Sequence, residues 1–384
     1  MQFKDIPGLD DVKQRLVNTV EENRISHAQL FLGQEGCGKL ALAIAYAQYI
    51  CCNNKTNGDS CGKCPQCLKY QKLIHPDLHF VYPVVKQKNS TKPPVSDDYI
   101  KQWREFILQR NYHRLDDWYD FIGSENAQGS IFAQESAEII RKLTLKTFEA
   151  EYKVMIIWMP EKMNETAANK LLKMIEEPPE KTLFILVAEN EEQILTTIRS
   201  RTQLIKIPRP TKENIEQALA AEFPDADSQS IKSSAIIGAG NYLEAVSALM
   251  QFKSGKVESP DFNAFAQMMR NAYANKYDLM LKWADEQSKN GREKQKKFFD
   301  YCSRMLRECF MLNAVPQAAD QLVNLTPGEM DFAKKFSPFI HQGNVAQFSS
   351  LFNETSYGIE RNGNAKLLFT DLALKVATTL RLKP

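Results

Sequence analysis

The chain has 384 residues, 43% hydrophobic and 25% charged, a composition of ordinary soluble proteins and a length that points to two or three domains rather than one core. Its 49 Lys and Arg against 47 Asp and Glu leave a net charge of +2, which excludes a cationic nucleic-acid coat, so any DNA contact must come from a local patch or from partners. No apolar run approaches the roughly 18 residues of a membrane span, and the opening "MQFKDIPGLDDVKQRL" is polar and amphipathic rather than secretory, which points to a cytoplasmic protein.

The first predicted unit is a strand in "HAQLFLG" (27–33), a glycine loop, and a helix in "KLALAIAYAQYI". That strand–loop–helix context is what a phosphate-binding loop requires, and Gly33, Gly36, Gly38 and Lys39 have its spacing. Leu40 stands where the motif needs a hydroxyl for Mg²⁺. Cys37, inside the loop, is expected to face away from the phosphates.

Eight cysteines in a cytoplasmic chain read as metal ligands or buried thiols before disulfides. "CCNNKTNGDSCGKCPQC" gathers Cys51, Cys52, Cys61, Cys64 and Cys67. Two interlocked C-x-x-C steps give three thiolates on a tight turn, and a fourth from Cys51 or Cys52 can close a tetrahedral Zn²⁺ site. Four sulfurs leave no position for water, so such a site is structural. The alternatives are a redox dithiol or simply buried thiols.

Residues 86–130 begin as a polar run and continue as a helix carrying Trp103, Phe106, Tyr112, Trp118, Tyr119 and Phe121. This aromatic load predicts a satellite core packed on its parent domain, with a docking surface as the alternative.

Further strands are predicted in "KVMIIW" (153–158), "LFILVA" (183–188) and "QLIKI" (203–207). Between them "NETAANKLLKMIEEPP" starts at a cap, Asn164, puts Ala168, Leu171, Leu172 and Ile175 on one face, and stops at Pro178-Pro179. Alternating strands and helices predict an α/β domain with a mostly parallel sheet covered on both faces. After "PRP" (208–210), residues 211–250 read as three short helices and 251–261 as a polar linker. From 262 onward the pattern is helical, with Phe298, Cys302, Met305, Cys309 and Leu312 forming a bundle stripe and a last helix in "AKLLFTDLALKVATTL".

A working phosphate-loop ATPase also needs a strand-end acid for Mg²⁺ and a group that orients water. After "VMII" come Trp158 and Met159, and the first carboxylate is Glu161, beyond the strand end. Two separate Mg²⁺ requirements fail together, which argues against hydrolysis. The loop amides and Lys39 are left to hold ADP, sulfate or nothing. "TTIRSRTQLIKI" sets Ser200 and Arg201 just before a strand, at the edge of the domain. An arginine there is either a solvated charge or a group that reaches across an interface to a phosphoryl group on a neighbour.

Taken together, "RISHAQLFLGQEGCGK", the C-x8-C-x2-C-x2-C cluster, "HPDLHFV", "YKVMII", "AANKLLKMIEEPPEKTLFIL" and "IRSR" resemble the clamp-loader branch of the AAA+ proteins over nearly all of residues 1–208, apart from 86–130. The resemblance implies zinc ligands at Cys52, Cys61, Cys64 and Cys67, with Cys51 the spare. It puts the family's Ser-Arg-Cys motif on Ser200, Arg201 and Thr202, keeping the arginine finger and changing the third position. The first sensor threonine falls near Ala188 or Glu189, and the second sensor arginine becomes Leu243. It also implies three domains: an AAA+ base over 1–208 with a zinc-binding insertion (51–67) and a helical insertion (86–130), a three-helix lid over 209–255, and a helical collar over 256–384 that joins a five-membered ring.

The function implied is that of a non-hydrolysing stator in the clamp loader of DNA polymerase III. It would give Arg201 to the ATP site of a gamma/tau subunit, assemble with delta, and act on the sliding clamp and primed DNA through the complex. The alternatives are an active ATPase of the gamma/tau kind with a divergent site, and a zinc-dependent nucleic-acid-binding module.

Overall fold

A computed structural model describes residues 1–86, 92–124, 129–253, 259–318, 323 and 325–382. Parts of the polar run and tail of the 86–130 segment, and the middle of the 251–261 linker, lie outside the described residues. The chain divides into two compact units, residues 1–231 with 238–246, and residues 232–237 with 247–384. Among the described residues no helix is long and apolar enough to cross a membrane.

The first unit is built on a five-stranded sheet, β1 (Ala28–Leu32), β2 (Leu78–Val81), β3 (Lys153–Trp158), β4 (Thr182–Ala188) and β5 (Gln203–Lys206), in the order β2-β3-β4-β1-β5. Every pairing is parallel. Four strands fall where the apolar runs predict them. The fifth, β2, is four residues long and its "LHFV" carries too little pattern to stand out. β3 and β4 are buried along their whole length because apolar clusters cover both faces.

The helices of this unit are α1 (Asp10–Glu21), α2 (Lys39–Cys51), α3 (Pro65–Gln71), α4 (Ile100–Gln109), α5 (Leu115–Phe121), α6 (Ala133–Thr144), α7 (Glu165–Glu176) and α8 (Thr196–Arg199), followed by α9 (Lys212–Glu222). α7 starts as expected, its Asn164 side chain accepting the Ala167 N–H at 2.8 Å. Ala167, Ala168, Leu171 and Ile175 form its buried face, while Leu172 is half-buried. Helices α10 (Ser228–Gly238) and α11 (Tyr242–Lys253) complete the three short helices expected over 211–250.

The aromatic segment packs on its parent domain as expected, but within the main core rather than as a satellite of it. It forms two helices, α4 and α5, and Trp103, Phe106, Trp118 and Tyr119 join the core that covers the sheet. The Trp103 ring stacks on Tyr82 at 3.9 Å and 12°, meets Trp118 edge-on at 5.2 Å, and lies 5.3 Å from Trp158. The Trp118 indole N–H donates to Pro83 O at 2.9 Å. Phe121 stays at the rim, and Tyr112 goes elsewhere, to the phosphate loop.

The segment is tied down at its start by Ser96. Its N–H donates to Glu135 Oε2 at 2.7 Å, and its carbonyl accepts the Tyr82 hydroxyl at 2.6 Å. Glu135 is 1% exposed, and among the described residues its Oε1 has no hydrogen-bond partner. Burial pushes its carboxyl up to about 7, against the Ser96 N–H and Lys142, which lower it, and with Asp97, which raises it.

The second unit is helical: α12 (Pro260–Tyr273), α13 (Tyr277–Ser288), α14 (Arg292–Ala314), α15 (Pro327–Phe336), α16 (Val345–Glu360) and α17 (Ala365–Thr379). Phe298, Cys302, Met305 and Cys309 of α14 are buried in one core with Phe265, Trp283, Phe348 and Phe369, as the stripe predicts, and Leu312 packs at its border.

The Glu135 carboxyl makes stability depend on pH. Its folded pKa of about 7 lies above the ordinary 4.5, so the native state holds the proton more tightly than the unfolded chain. The stability this group contributes is then largest below pH 4.5 and is lost as pH rises through 7, by up to about 3 kcal/mol. Glu135→Gln should flatten that slope in urea titrations at pH 4.5 to 8 and be the more stable protein at pH 8.

Candidate functional site: a closed phosphate loop and an exposed arginine

The loop between β1 and α2 is shaped by Gly36 and Gly38, whose φ angles of +73° and +82° suit glycine. A Cβ on Gly36 would lie 1.9 Å from Asn241 Oδ1, and one on Gly38 would lie 3.1 Å from Tyr112 Cε1. The loop is therefore closely covered from two sides. Gly33 packs against Cys37 Sγ and Ile207, and Cys37 points into the core, away from any phosphate. Burial raises the Cys37 thiol above its ordinary value.

The cover is held by polar contacts as well as packing. Tyr112 stacks on Tyr242 with centroids 4.1 Å apart, and the Tyr242 hydroxyl donates to Glu222 Oε2 at 2.6 Å. Arg114 Nε donates to Glu35 Oε1 at 3.0 Å, and its Nη2 pairs with Glu244. Asn241 Nδ2 donates to the same Glu35 oxygen at 3.3 Å, and the Tyr242 N–H donates to Gly36 O at 3.2 Å. Residues from the aromatic segment and from 241–244 thus meet on the loop.

Lys39 is 5% exposed, and its ammonium donates to Glu189 Oε1 at 2.7 Å and to Gln34 O at 3.2 Å. Glu189 follows directly on β4, at the carboxyl end of a parallel sheet where ligands of such folds gather. Its own N–H donates to Glu161 Oε1 at 2.8 Å, and burial raises the Glu161 carboxyl above its usual range. A carboxylate of the chain sits on the lysine that would otherwise meet phosphate.

The positions that would hold Mg²⁺ are apolar and inside. Leu40 is 6% exposed, and Trp158 and Met159 are 2% and 4% exposed, all in the same core. Leu243 is likewise buried, 3% exposed.

Cys52, Cys61, Cys64 and Cys67 bring their four sulfurs within 4.8 Å of one another. A tetrahedral ion with metal–sulfur bonds of about 2.3 Å sets sulfurs about 3.8 Å apart, so the group could hold a metal such as zinc. The Cys61 and Cys67 sulfurs are 3.9 Å apart. Backbone N–H groups of Lys63 and Cys64 point at Cys61 Sγ and lower that thiol to about 6, whereas burial raises the Cys52 and Cys67 thiols. Cys51 is outside the group: it takes the Tyr70 hydroxyl proton at 3.2 Å, and burial pushes its thiol up to about 12.

Ser200 and Arg201 are exposed at the turn from α8 into the edge strand β5. Ser200 Oγ donates to Thr197 O at 3.1 Å, and Thr202 Oγ1 donates to Ile198 O at 3.1 Å, so hydroxyls on both sides of Arg201 close the turn. Arg201 Nε pairs with Glu176 Oε1 at 2.5 Å.

Residues 8–211 match the family described as "DNA polymerase III, delta subunit". The chain belongs to that family, the delta prime and clamp-loader family of bacterial DNA polymerase III. It is similar to the DNA polymerase III subunit delta' of Bacillus subtilis strain 168, 28% identical over 208 residues that cover 54% of this chain and 50% of the relative. It is also similar to the delta' subunit of Pseudomonas aeruginosa, 27% identical over 220 residues, 57% of this chain and 55% of that one. The subunit tau of Bacillus subtilis is 26% identical over 254 residues, 65% and 37% of the two chains. The chain thus spans about half the length of the delta' relatives. Among solved structures, a gamma subunit-related protein of Thermotoga maritima aligns with a TM-score of 0.38 and 12% identity, over 97% of this chain and 100% of that one.

Of the residues that close the loop, Glu35, Tyr112 and Arg114 do not stand out as site residues in the sequence, and Glu189 enters there only as a place near which the first sensor falls, not as a partner of Lys39. Glu189 had a usable signal, a carboxylate directly after a buried parallel strand. The other three depend on tertiary packing alone.

Any nucleotide phosphate must displace Glu189 from Lys39. Glu189→Gln removes that competing charge, and ADP measured by calorimetry should bind the variant at least about tenfold more tightly than the wild type, given a few kcal/mol between close charges at intermediate dielectric.

Proposed function

We propose that the chain acts as the non-hydrolysing delta prime stator of a bacterial clamp loader, lending Arg201 to the ATP site of a neighbouring gamma/tau subunit. The observation that carries this reading is the contrast between two ends of one sheet. Lys39 is neutralised from within and covered, whereas Arg201 is exposed on a braced turn beside an edge strand.

Hydrolysis at a phosphate loop needs a metal, and here the metal positions are Leu40, Trp158 and Met159, all buried. An arginine needs no metal of its own, only reach and a fixed direction. Its planar guanidinium can bridge oxygens of a transferring phosphoryl group and stabilise the charge that builds there. In this reading residues 1–208 are the AAA+ base, 209–255 a lid and 256–384 a collar. The collar would join gamma/tau and delta in a ring that opens the sliding clamp and sets it on primed DNA.

The cysteine group would hold a structural Zn²⁺ through Cys52, Cys61, Cys64 and Cys67, an ion that supplies crosslinking and no chemistry when all four positions are sulfur. Native mass spectrometry of the purified chain should find one zinc, and Cys67→Ser should lose it and lower the melting temperature.

Arg201→Ala in the reconstituted complex should leave assembly intact by gel filtration. It should lower turnover at the site it serves by about a thousandfold, the scale of an arginine finger, and so lower total DNA-stimulated ATPase by that site's share. Unchanged ATPase would remove Arg201 from the mechanism.

A further inference from the structure

The contacts of Arg201 assign a role to a residue that the finger alone does not explain. A guanidinium has five N–H groups in a rigid plane, and the direction of that plane decides whether a phosphoryl oxygen can be met. Here two of its three nitrogens are engaged from within the chain. Nε pairs with Glu176 Oε1 at 2.5 Å, and Nη1 donates to Thr197 O at 3.0 Å and to Ser200 Oγ at 3.2 Å. Among the described residues Nη2 has no such partner.

Glu176 is well placed to brace, because its own position is fixed twice. It is the last residue of α7, and the chain cannot continue that helix into Pro178-Pro179. α7 is in turn packed on α8, with Leu171, Ile175, Ile194 and Ile198 in one buried cluster. A carboxylate at the C-terminus of a helix is locally unfavourable, since the macrodipole prefers a cation there. A residue that goes against its local preference is a candidate for a task elsewhere.

The strength of the contact suits that task. The Arg201 and Glu176 side chains are 39% and 42% exposed, so water screens the pair and it adds little to folding stability. It can orient the guanidinium without removing it from reach of a neighbour.

We propose that Glu176 is a positioning residue for Arg201. Its carboxylate pairs with the guanidinium and restricts it so that Nη2 is presented towards the phosphoryl group of an ATP bound by the adjacent subunit. This rests on the arginine-finger reading above.

Two experiments test it separately from that reading. In the isolated chain, the NMR order parameter at Arg201 Nε should drop in Glu176→Gln relative to the wild type. An equal order parameter would mean the brace is not made, and would overturn the proposal whatever Arg201 does in the complex. In the reconstituted loader, Glu176→Gln should lower kcat of the ATPase by about tenfold at the served site, with KM for ATP unchanged, because misdirection rather than binding is affected. Glu176→Asp should recover part of the loss.

The double variant with Arg201→Ala should be no slower than Arg201→Ala alone, since the two act as a unit. A Glu176→Gln loader as fast as the wild type or faster, or an equal further loss in the Arg201→Ala background, overturns the positioning role and leaves the finger standing. An Arg201→Ala loader with unchanged kcat overturns both.

Discussion

The ion pair between Lys39 and Glu189 is the constraint around which the first unit is organised. The Lys39 side chain is 6% exposed, and a buried ammonium without a counter-charge is costly enough that it must either lose its proton or find a partner. In a working nucleotide site the partner is phosphate. Here it is a carboxylate of the same chain, 2.7 Å away.

Once the lysine is satisfied internally, the surrounding positions are released from metal chemistry, and the core has taken them over. Trp158 stands at the end of the β3 strand and packs on Trp103, so the loss of an acid and the anchoring of the aromatic segment are one arrangement. The same segment then sends Tyr112 and Arg114 over the phosphate loop. An acid at position 158 would place a charge inside a buried aromatic cluster.

The sequence made the sheet legible because buried parallel strands read as short apolar runs, and β3 is predicted to the residue. It also showed the cysteine group and the edge arginine, since both depend on residue type at short spacing. β2 was not legible, being four residues with a half-buried histidine. Two helices, α4 and α5, take the place of the single helix read there, with the break near Arg110–Arg114 set by packing rather than by a proline or glycine. The aromatic segment is more deeply merged with the main core than a satellite, because its partners Phe80, Tyr82 and Trp158 lie far away in sequence. The closure of the loop was out of reach for the same reason: Tyr112 meets Tyr242, and Arg114 meets Glu35 and Glu244, across separations no periodicity encodes.

In the proposed function, one fold has a silent end, where the phosphate loop does no chemistry, and a presenting end at Arg201. The most direct measurement is ATP turnover by the purified chain with Mg²⁺ and primed DNA. The closed Lys39–Glu189 site predicts no hydrolysis above background, unchanged by Lys39→Ala. DNA-stimulated turnover that disappears in Lys39→Ala would contradict it.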